Sequence, residues 1–212
     1  MATLDLQEQE QIDAFKHWWK DNGKGVIVAA ALALGAVAAA QMWQSYKAGQ
    51  ASQAATMFGE LNRQLGSGDP KRINDAAAAV TDKYASSAFA PRAQLLAAQA
   101  NIDAGDAAHA KAQLQWVIEH ADEDGLKDVA RLKLAALLLD EKNYADALAQ
   151  LDARHPESFD SLYADLRGDV LSAQGKVAEA RVAYQQAYDK ADAKRPFHNL
   201  IQMKLDALGG AK

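Results

Sequence analysis

The feature that most constrains the fold of this chain is an uncharged, apolar stretch near the N-terminus. No Asp, Glu, Lys or Arg occurs in residues 25–46. As an α-helix this stretch rises about 33 Å, which matches the roughly 30 Å hydrocarbon core of a bilayer. Trp18 and Trp19 precede the stretch, and Trp43 and Tyr46 lie at its end, as in the aromatic belts of membrane interfaces. The stretch therefore predicts one transmembrane helix.

Two other interpretations compete with a permanent anchor. The first is a buried core helix, although residues 26–40 are apolar on every face. The second is a cleaved signal peptide, because Ala38-Ala39-Ala40 resembles a small-residue cleavage site. Cleavage after Ala40 would release a soluble periplasmic adaptor for envelope assembly. A signal peptide begins with a short basic segment, whereas residues 1–24 are long and carry five acids, so we favour a retained anchor.

The distribution of basic residues predicts the orientation of the anchor. Three lysines precede the stretch and two basic residues follow it within a short distance: Lys16, Lys20 and Lys24, then Lys47 and Arg63. Basic residues concentrate on the cytosolic side of a membrane. We therefore expect a cytosolic segment over residues 1–24, a transmembrane helix over 25–46 and an outer domain over 47–212. In a Gram-negative bacterium that domain is periplasmic.

The segment before the anchor has an amphipathic pattern of its own. Ile12, Phe15 and Trp19 recur at helical spacing, with charged residues on the other faces. The segment is either an amphipathic helix on the inner membrane face or a simple extension of the anchor helix. In both cases Asn22-Gly23 is a place where the helix can break.

An internal repeat organises the rest of the chain. The segments 105–110, 142–147 and 175–180 align, and their closing alanines are 37 and 33 residues apart. Each alanine has a large apolar residue four positions after it and a small residue twelve positions before it. The small residues are Ala98, Ala135 and Gly168, the closing alanines are Ala110, Ala147 and Ala180, and the large residues are Leu114, Leu151 and Tyr184. This is the tetratricopeptide (TPR) pattern, in which two small residues let the helices of a hairpin approach closely.

Two further elements extend the predicted repeat array. A degenerate unit comes first, pairing a helix through Phe58 and Leu61 with one through Ile73 and Val80 across the turn at residues 66–70. At the C-terminus, apolar residues follow Pro196 at helical spacing and predict a helix that closes the solenoid. The fold class is therefore all-α: one transmembrane helix, then a TPR-like solenoid with a C-terminal capping helix.

Composition and motifs argue against several functional classes. The chain has no cysteine, and its formal charge is −5 without a basic cluster, so thiolate chemistry and nucleic acid binding are not expected. The five histidines show no metal-ligand spacing, and no nucleotide-binding or hydrolase motif occurs. We expect no enzymatic activity, no cofactor, no metal and no small-molecule substrate.

The expected activity is protein binding in the concave groove of the repeats. The first helix of each hairpin lines this groove. Counting from the small residue of each such helix, the candidate groove residues are Arg92, Leu95, Gln99, Val129, Leu132, Leu162, Asp165 and Asp169. Their mixture of apolar and polar side chains suits an extended or helical polypeptide. The alternative for each residue is packing against the neighbouring repeat.

Several stretches together resemble the YfgM family, single-span periplasmic TPR proteins that are ancillary subunits of the SecYEG translocon. They are residues 8–12 and 15–23 before the anchor, 89–97, and 164–171 leading through Gly175 to 179–185. The likeness covers nearly the whole chain. Tyr84-Ala85 departs from the Tyr-Pro that the family pattern leads us to expect, which affects only a loop.

The resemblance implies an inner-membrane scaffold with three kinds of protein partner besides membrane lipid. These are the SecYEG translocon, a membrane-anchored periplasmic chaperone like PpiD, and newly exported polypeptides. It also implies a link to stress regulation. A regulatory protein whose residues 1–24 sequester a cytosolic stress-response factor is therefore the alternative to a translocon-associated scaffold.

Overall fold

The computed structural model describes residues 6–209, and every regular element in that range is helical. The helices are α1 (Leu6–Leu65), α2 (Pro70–Tyr84), α3 (Phe89–Asp103), α4 (Ala107–His120), α5 (Asp124–Asp140), α6 (Tyr144–Leu151), α7 (Asp160–Ala173), α8 (Val177–Lys190) and α9 (Pro196–Ala207). A 3-10 turn, Glu157–Phe159, precedes α7. The predicted all-α class is confirmed. The chain divides into two compact units at Gln50 and Ala51.

The first unit consists of the N-terminal part of α1. Its apolar side chains lie on the surface: Leu32, for example, is 70% exposed and Leu34 is 71% exposed. α1 is long and apolar enough to cross a membrane, and none of its most apolar window is buried. The buried-core interpretation of this stretch is therefore wrong, because the protein offers these side chains no interior to occupy.

α1 passes through Asn22 and Gly23 without a break, so the predicted interruption at this point is wrong. The Asn22 side-chain amide donates a hydrogen bond to the Trp18 carbonyl oxygen at 3.0 Å, one turn earlier. The Trp19 indole covers Gly23, where an added Cβ atom would lie 3.1 Å from the ring. Both residues are thus satisfied inside the helix, and the bare glycine gives the indole a flat surface to lie on.

The second unit is a series of helical hairpins. We call the first helix of each hairpin its A helix and the second its B helix. The A helices are residues 51–65 of α1, then α3, α5 and α7, and the B helices are α2, α4, α6 and α8. At each junction one residue has a positive φ, and the B helix begins two residues later: Gly68, Gly105, Lys142 and Gly175. A left-handed residue ends a helix and reverses the chain, so the predicted turns are confirmed.

Small residues facing large ones hold each hairpin together. Ala98, Ala110 and Leu114 of the hairpin α3/α4 are all fully buried. In the last hairpin the approach is closest, since a Cβ atom added to Gly168 of α7 would lie 2.5 Å from the Tyr184 ring of α8. That separation is far below van der Waals contact. The glycine is therefore required by the neighbouring ring rather than by its own backbone conformation.

The first hairpin reverses the sizes of these positions. Counted from its left-handed Gly68, the two places that hold small residues elsewhere hold Leu61 and Ile73, and the place of the large residue holds Ala77. All three are buried. The interior volume is conserved because two residues enlarge while the third shrinks.

Buried polar side chains fix the register between neighbouring helices. Asn101 of α3, fully buried, exchanges amide hydrogen bonds with Asn74 of α2 at 2.9–3.0 Å and donates to Gln113 of α4 at 2.8 Å. Asp128 of α5 is 1% exposed and accepts a hydrogen bond from the Tyr163 hydroxyl of α7 at 2.8 Å. Such bonds disfavour slipped arrangements, because a slip would leave buried polar groups unpaired.

α9 closes the solenoid as predicted. Ile201 and Leu205 are buried in one apolar cluster with Leu171, Ala183 and Tyr184 of the last hairpin. Arg181 of α8 donates to the Gly209 carbonyl oxygen at 2.6 Å and also bonds the Leu208 carbonyl, which supplies partners for the C-terminal end of α9.

Replacing Gly168 with alanine tests the close approach within the last hairpin. The added methyl group overpacks the Tyr184 ring, which costs about 1–3 kcal/mol, so the midpoint of thermal unfolding should fall by about 3–10 °C. Circular dichroism of the detergent-solubilised chain measures it. Gly59→Ala is the matched control, since a Cβ atom there meets nothing within 4 Å and alanine favours the helix. Equal behaviour of the two variants would contradict the packing argument.

Candidate binding groove

The groove residues form rows along the A helices. The row three positions before the small residue contains Leu95, Leu132 and Asp165, as the sequence predicts, and Phe58 of the first hairpin continues it at the same spacing. The row is therefore apolar in the first three hairpins and acidic in the last one. The two ends of the groove differ accordingly in chemistry and in what already occupies them.

At the apolar end, the A helices enclose an open cavity of about 400 Å³. Its walls are Phe58, Arg92, Leu95, Leu96, Gln99 and Lys133. Three of the predicted residues, Arg92, Leu95 and Gln99, thus meet at one site. The other three, Phe58, Leu96 and Lys133, were not predicted from the sequence as groove residues. For Phe58 the available signal was its position 37 residues before Leu95, the same interval that separates Leu95 from Leu132.

The two cations of this cavity have different partners. The guanidinium group of Arg92 pairs with Glu123 at 2.8 Å, just before α5 begins. The Lys133 ammonium group donates to the side-chain oxygen of Gln99 at 2.5 Å. Over the described part of the chain no carboxylate lies within ion-pair distance of Lys133. The same Gln99 amide donates to the Asp103 carboxylate at 2.7 Å. Lys133 therefore reaches a carboxylate only through this amide and places its positive charge beside an apolar surface.

In the middle of the groove, Val129 and Leu132 of α5 are half-buried. Leu132 packs against the central apolar cluster, which contains Leu134 and Leu138 of the same helix. Neither residue lines the cavity at the apolar end. For Leu132 the structure thus shows the packing role that the sequence left as an alternative.

At the acidic end, the capping helix reaches Asp165 and Asp169. The Lys204 ammonium group of α9 lies 2.8 Å from Asp165 and 2.7 Å from Asp169. Asp169 also accepts a hydrogen bond from the Tyr184 hydroxyl at 2.7 Å. Asp165 is only 8% exposed, so the protein's own lysine takes the position that the sequence assigned to a partner. Leu162, at the start of α7, stays 40% exposed.

One ammonium group shared by two carboxylates shifts the titration of this cluster. Burial raises the pKa of Asp165, and the neighbouring Asp169 adds to this, against the opposing effect of Lys204. Burial lowers the pKa of Lys204, but its hydrogen bonds to both carboxylates outweigh burial and raise it overall. Burial also raises the pKa of Tyr184, whose hydroxyl donates to Asp169. The two aspartates and one lysine carry a net negative charge, which favours the protonated forms of Asp165, Lys204 and Tyr184.

Comparison with known proteins extends over almost the whole chain. Residues 16–210 match the family model described as a tetratricopeptide repeat-like domain. A protein of Neisseria gonorrhoeae named "Ancillary SecYEG translocon subunit" is 32% identical over 96% of this chain and 98% of its own length. Proteins with the same name from Escherichia coli and Haemophilus influenzae are 29% and 27% identical, over 96% and 100% of their lengths. No solved structure is significantly similar to the chain.

Replacing Lys204 with glutamine tests the acidic cluster. Loss of the ammonium group leaves Asp165 buried without its counter-ion, which costs about 1–3 kcal/mol at neutral pH. The pKa of Asp165 in the folded chain then rises further above its unfolded value of about 3.9. A carboxyl whose pKa is higher in the folded chain than in the unfolded chain stabilises the fold at pH values below its unfolded pKa. This stabilisation is lost as the pH rises through its folded pKa. The stability that Lys204→Gln loses relative to the unsubstituted chain should therefore grow between about pH 4 and pH 7.

Thermal unfolding of both proteins across this pH range measures the deficit. Lys190→Gln is the control, because it removes an equal charge from an exposed pair with Asp160 and should change the midpoint little at any pH. A deficit in the Lys204 variant that stays constant with pH would show that Asp165 is not its source.

Proposed function

Because the chain belongs to the YfgM family of tetratricopeptide repeat-like proteins, we propose that it is a membrane-anchored binding scaffold at the SecYEG translocon. The observation that carries this proposal is the match itself. It includes both the anchor segment and the repeats of this chain, and it covers 96% or more of the length of relatives named as ancillary SecYEG translocon subunits. A relative that matched only the repeats would support a binding groove, but it would not support a place at the translocon.

The membrane anchor is the part of α1 that precedes the repeat domain. Its surface from Val26 to Val37 is apolar and exposed, and lipid is the solvent in which such a surface is stable. The rings of Trp43 and Tyr46 lie with their centroids 6.2 Å apart and their planes tilted by 32°, and Lys47 lies over Trp43 at 5.5 Å. An aromatic pair with an adjacent lysine suits the polar boundary of the bilayer.

The anchor has its N-terminus in the cytosol and its repeat domain in the periplasm. The basic residues before and after the span support this orientation. The groove then faces the compartment into which exported polypeptides emerge. There it binds such polypeptides and passes them to a PpiD-like periplasmic chaperone.

The absence of cysteine from the sequence permits a direct test of the orientation. Ser86→Cys places one thiol at an exposed position of the repeat domain, and Ala14→Cys places one at an exposed position before the span. In cells with a permeabilised outer membrane, an impermeant maleimide should label the first variant and leave the second unlabelled until the inner membrane is opened. Labelling in the reverse order would contradict the proposed orientation.

Photo-crosslinking in living cells tests the association with the translocon. A photoreactive residue replaces Val37 in the span, or Leu95 in the groove, one at a time. Mass spectrometry should identify a SecYEG subunit from at least one position, and an arrested exported chain from Leu95. A photoreactive residue at exposed Lys83, outside the groove, is the control for the second product. Failure to recover any SecYEG subunit from either position would overturn the proposed function.

A further inference from the structure

The cavity at the apolar end of the groove combines an apolar floor with one cation that has no carboxylate within ion-pair distance among residues 6–209. Phe58, Leu95 and Leu96 supply the floor, and Lys133 lies at its edge. A volume of about 400 Å³ is within the range of natural ligand pockets, roughly 300–1,000 Å³. The cavity is open on one side, so a side chain projecting from a longer chain can enter it.

The acidic end of the same groove offers one comparison for the contacts of Lys133. Lys133 reaches back 34 residues to Gln99, and Lys204 reaches back 35 residues to Asp169. Gln99 and Asp169 each directly follow the small residue of their A helix. Each lysine therefore contacts the same position of an A helix, the one directly after its small residue.

The two positions differ in charge. Lys204 meets two carboxylates, whereas Lys133 meets only an amide oxygen. An ammonium group has three donors, and one neutral acceptor satisfies only one of them. A carboxylate that approached Lys133 from outside would supply the charge that Asp165 and Asp169 supply to Lys204.

We propose that this cavity binds a polypeptide segment in which a large apolar residue stands next to an aspartate or glutamate. The apolar side chain fills the space between Phe58, Leu95 and Leu96, and the neighbouring carboxylate pairs with Lys133. This inference rests on the proposed function, since it names the kind of segment that the groove selects among exported polypeptides. Arg92 is already neutralised by Glu123, so a polypeptide in this groove has one charge to match beside an apolar surface.

Peptide binding to the detergent-solubilised full chain tests the proposal. The probes are short peptides of Gly, Ser and Thr, blocked at both ends, with a central Leu-Asp, Leu-Asn or Ala-Asp pair. Ligand-observed NMR titration, which resolves millimolar affinities, should show that the Leu-Asp peptide binds roughly fivefold more tightly than the Leu-Asn peptide, because of the ion pair. The Ala-Asp peptide should bind at least roughly tenfold more weakly than Leu-Asp, because it fills less of the cavity.

Three variants assign the discrimination to the lysine. Lys133→Gln should bind the Leu-Asp and Leu-Asn peptides equally, and Lys133→Glu should prefer a Leu-Lys peptide to Leu-Asp. Lys127→Gln is the matched control: it removes the same charge from the same helix, outside the cavity, and should keep the wild-type preference. Thermal unfolding verifies that each variant is folded.

Two results would overturn the proposal. One is an equal affinity of the wild-type chain for the Leu-Asp and Leu-Asn peptides, and the other is a preference for Leu-Asp that survives in Lys133→Gln. The assay contains no translocon, so its outcome is independent of the crosslinking to SecYEG. If the peptide selectivity is found but no SecYEG subunit is crosslinked, only the association with the translocon is refuted. If a SecYEG subunit is crosslinked but the peptide selectivity is absent, only the proposed specificity of the cavity is refuted.

Discussion

The whole repeat domain depends on how closely the two helices of each hairpin can approach. A side chain as large as Tyr184 is accommodated on α8 because Gly168 of α7 has no Cβ atom where the ring lies. In the two middle hairpins buried alanines such as Ala98 and Ala135 serve the same purpose. A hairpin packed this closely buries its apolar face between its own helices and the next hairpin. The opposite edge of each A helix is then left free to form a groove.

Polar contacts between successive A helices determine the chemistry of that groove. Asp128 joins α5 to α7 through Tyr163, Lys133 joins α5 to α3, and Lys204 joins α9 to α7. These residues lie beside the groove positions, so the charge of the groove depends on which polar groups the scaffold has already paired. The two carboxylates of the acidic end are paired with a lysine of the scaffold, whereas the apolar end presents a lysine to the groove.

The sequence was sufficient to predict the helices, the hairpins and the capping helix, because these follow from local spacing and left-handed turns. It did not reveal the partner of Asp165, since Lys204 lies 39 residues away and their contact depends on the register between α7 and α9. Phe58 was missed because the first hairpin reverses its large and small positions, which hides the alignment. The helix break predicted at Asn22-Gly23 was wrong because side-chain contacts within the helix outweigh the low helix propensities of these two residues.

A membrane anchor and a groove of modest affinity suit each other physically. Burying one leucine or phenylalanine contributes about 1.5–3 kcal/mol, and a partly exposed ion pair about 1 kcal/mol or less. Together these correspond to a dissociation constant near 1 mM at best, before the cost of ordering the bound segment. Such affinity is too weak to capture a polypeptide from dilute solution. A groove tethered where the polypeptide emerges meets it at an effective concentration of the same order, and weak binding lets the segment leave quickly to fold.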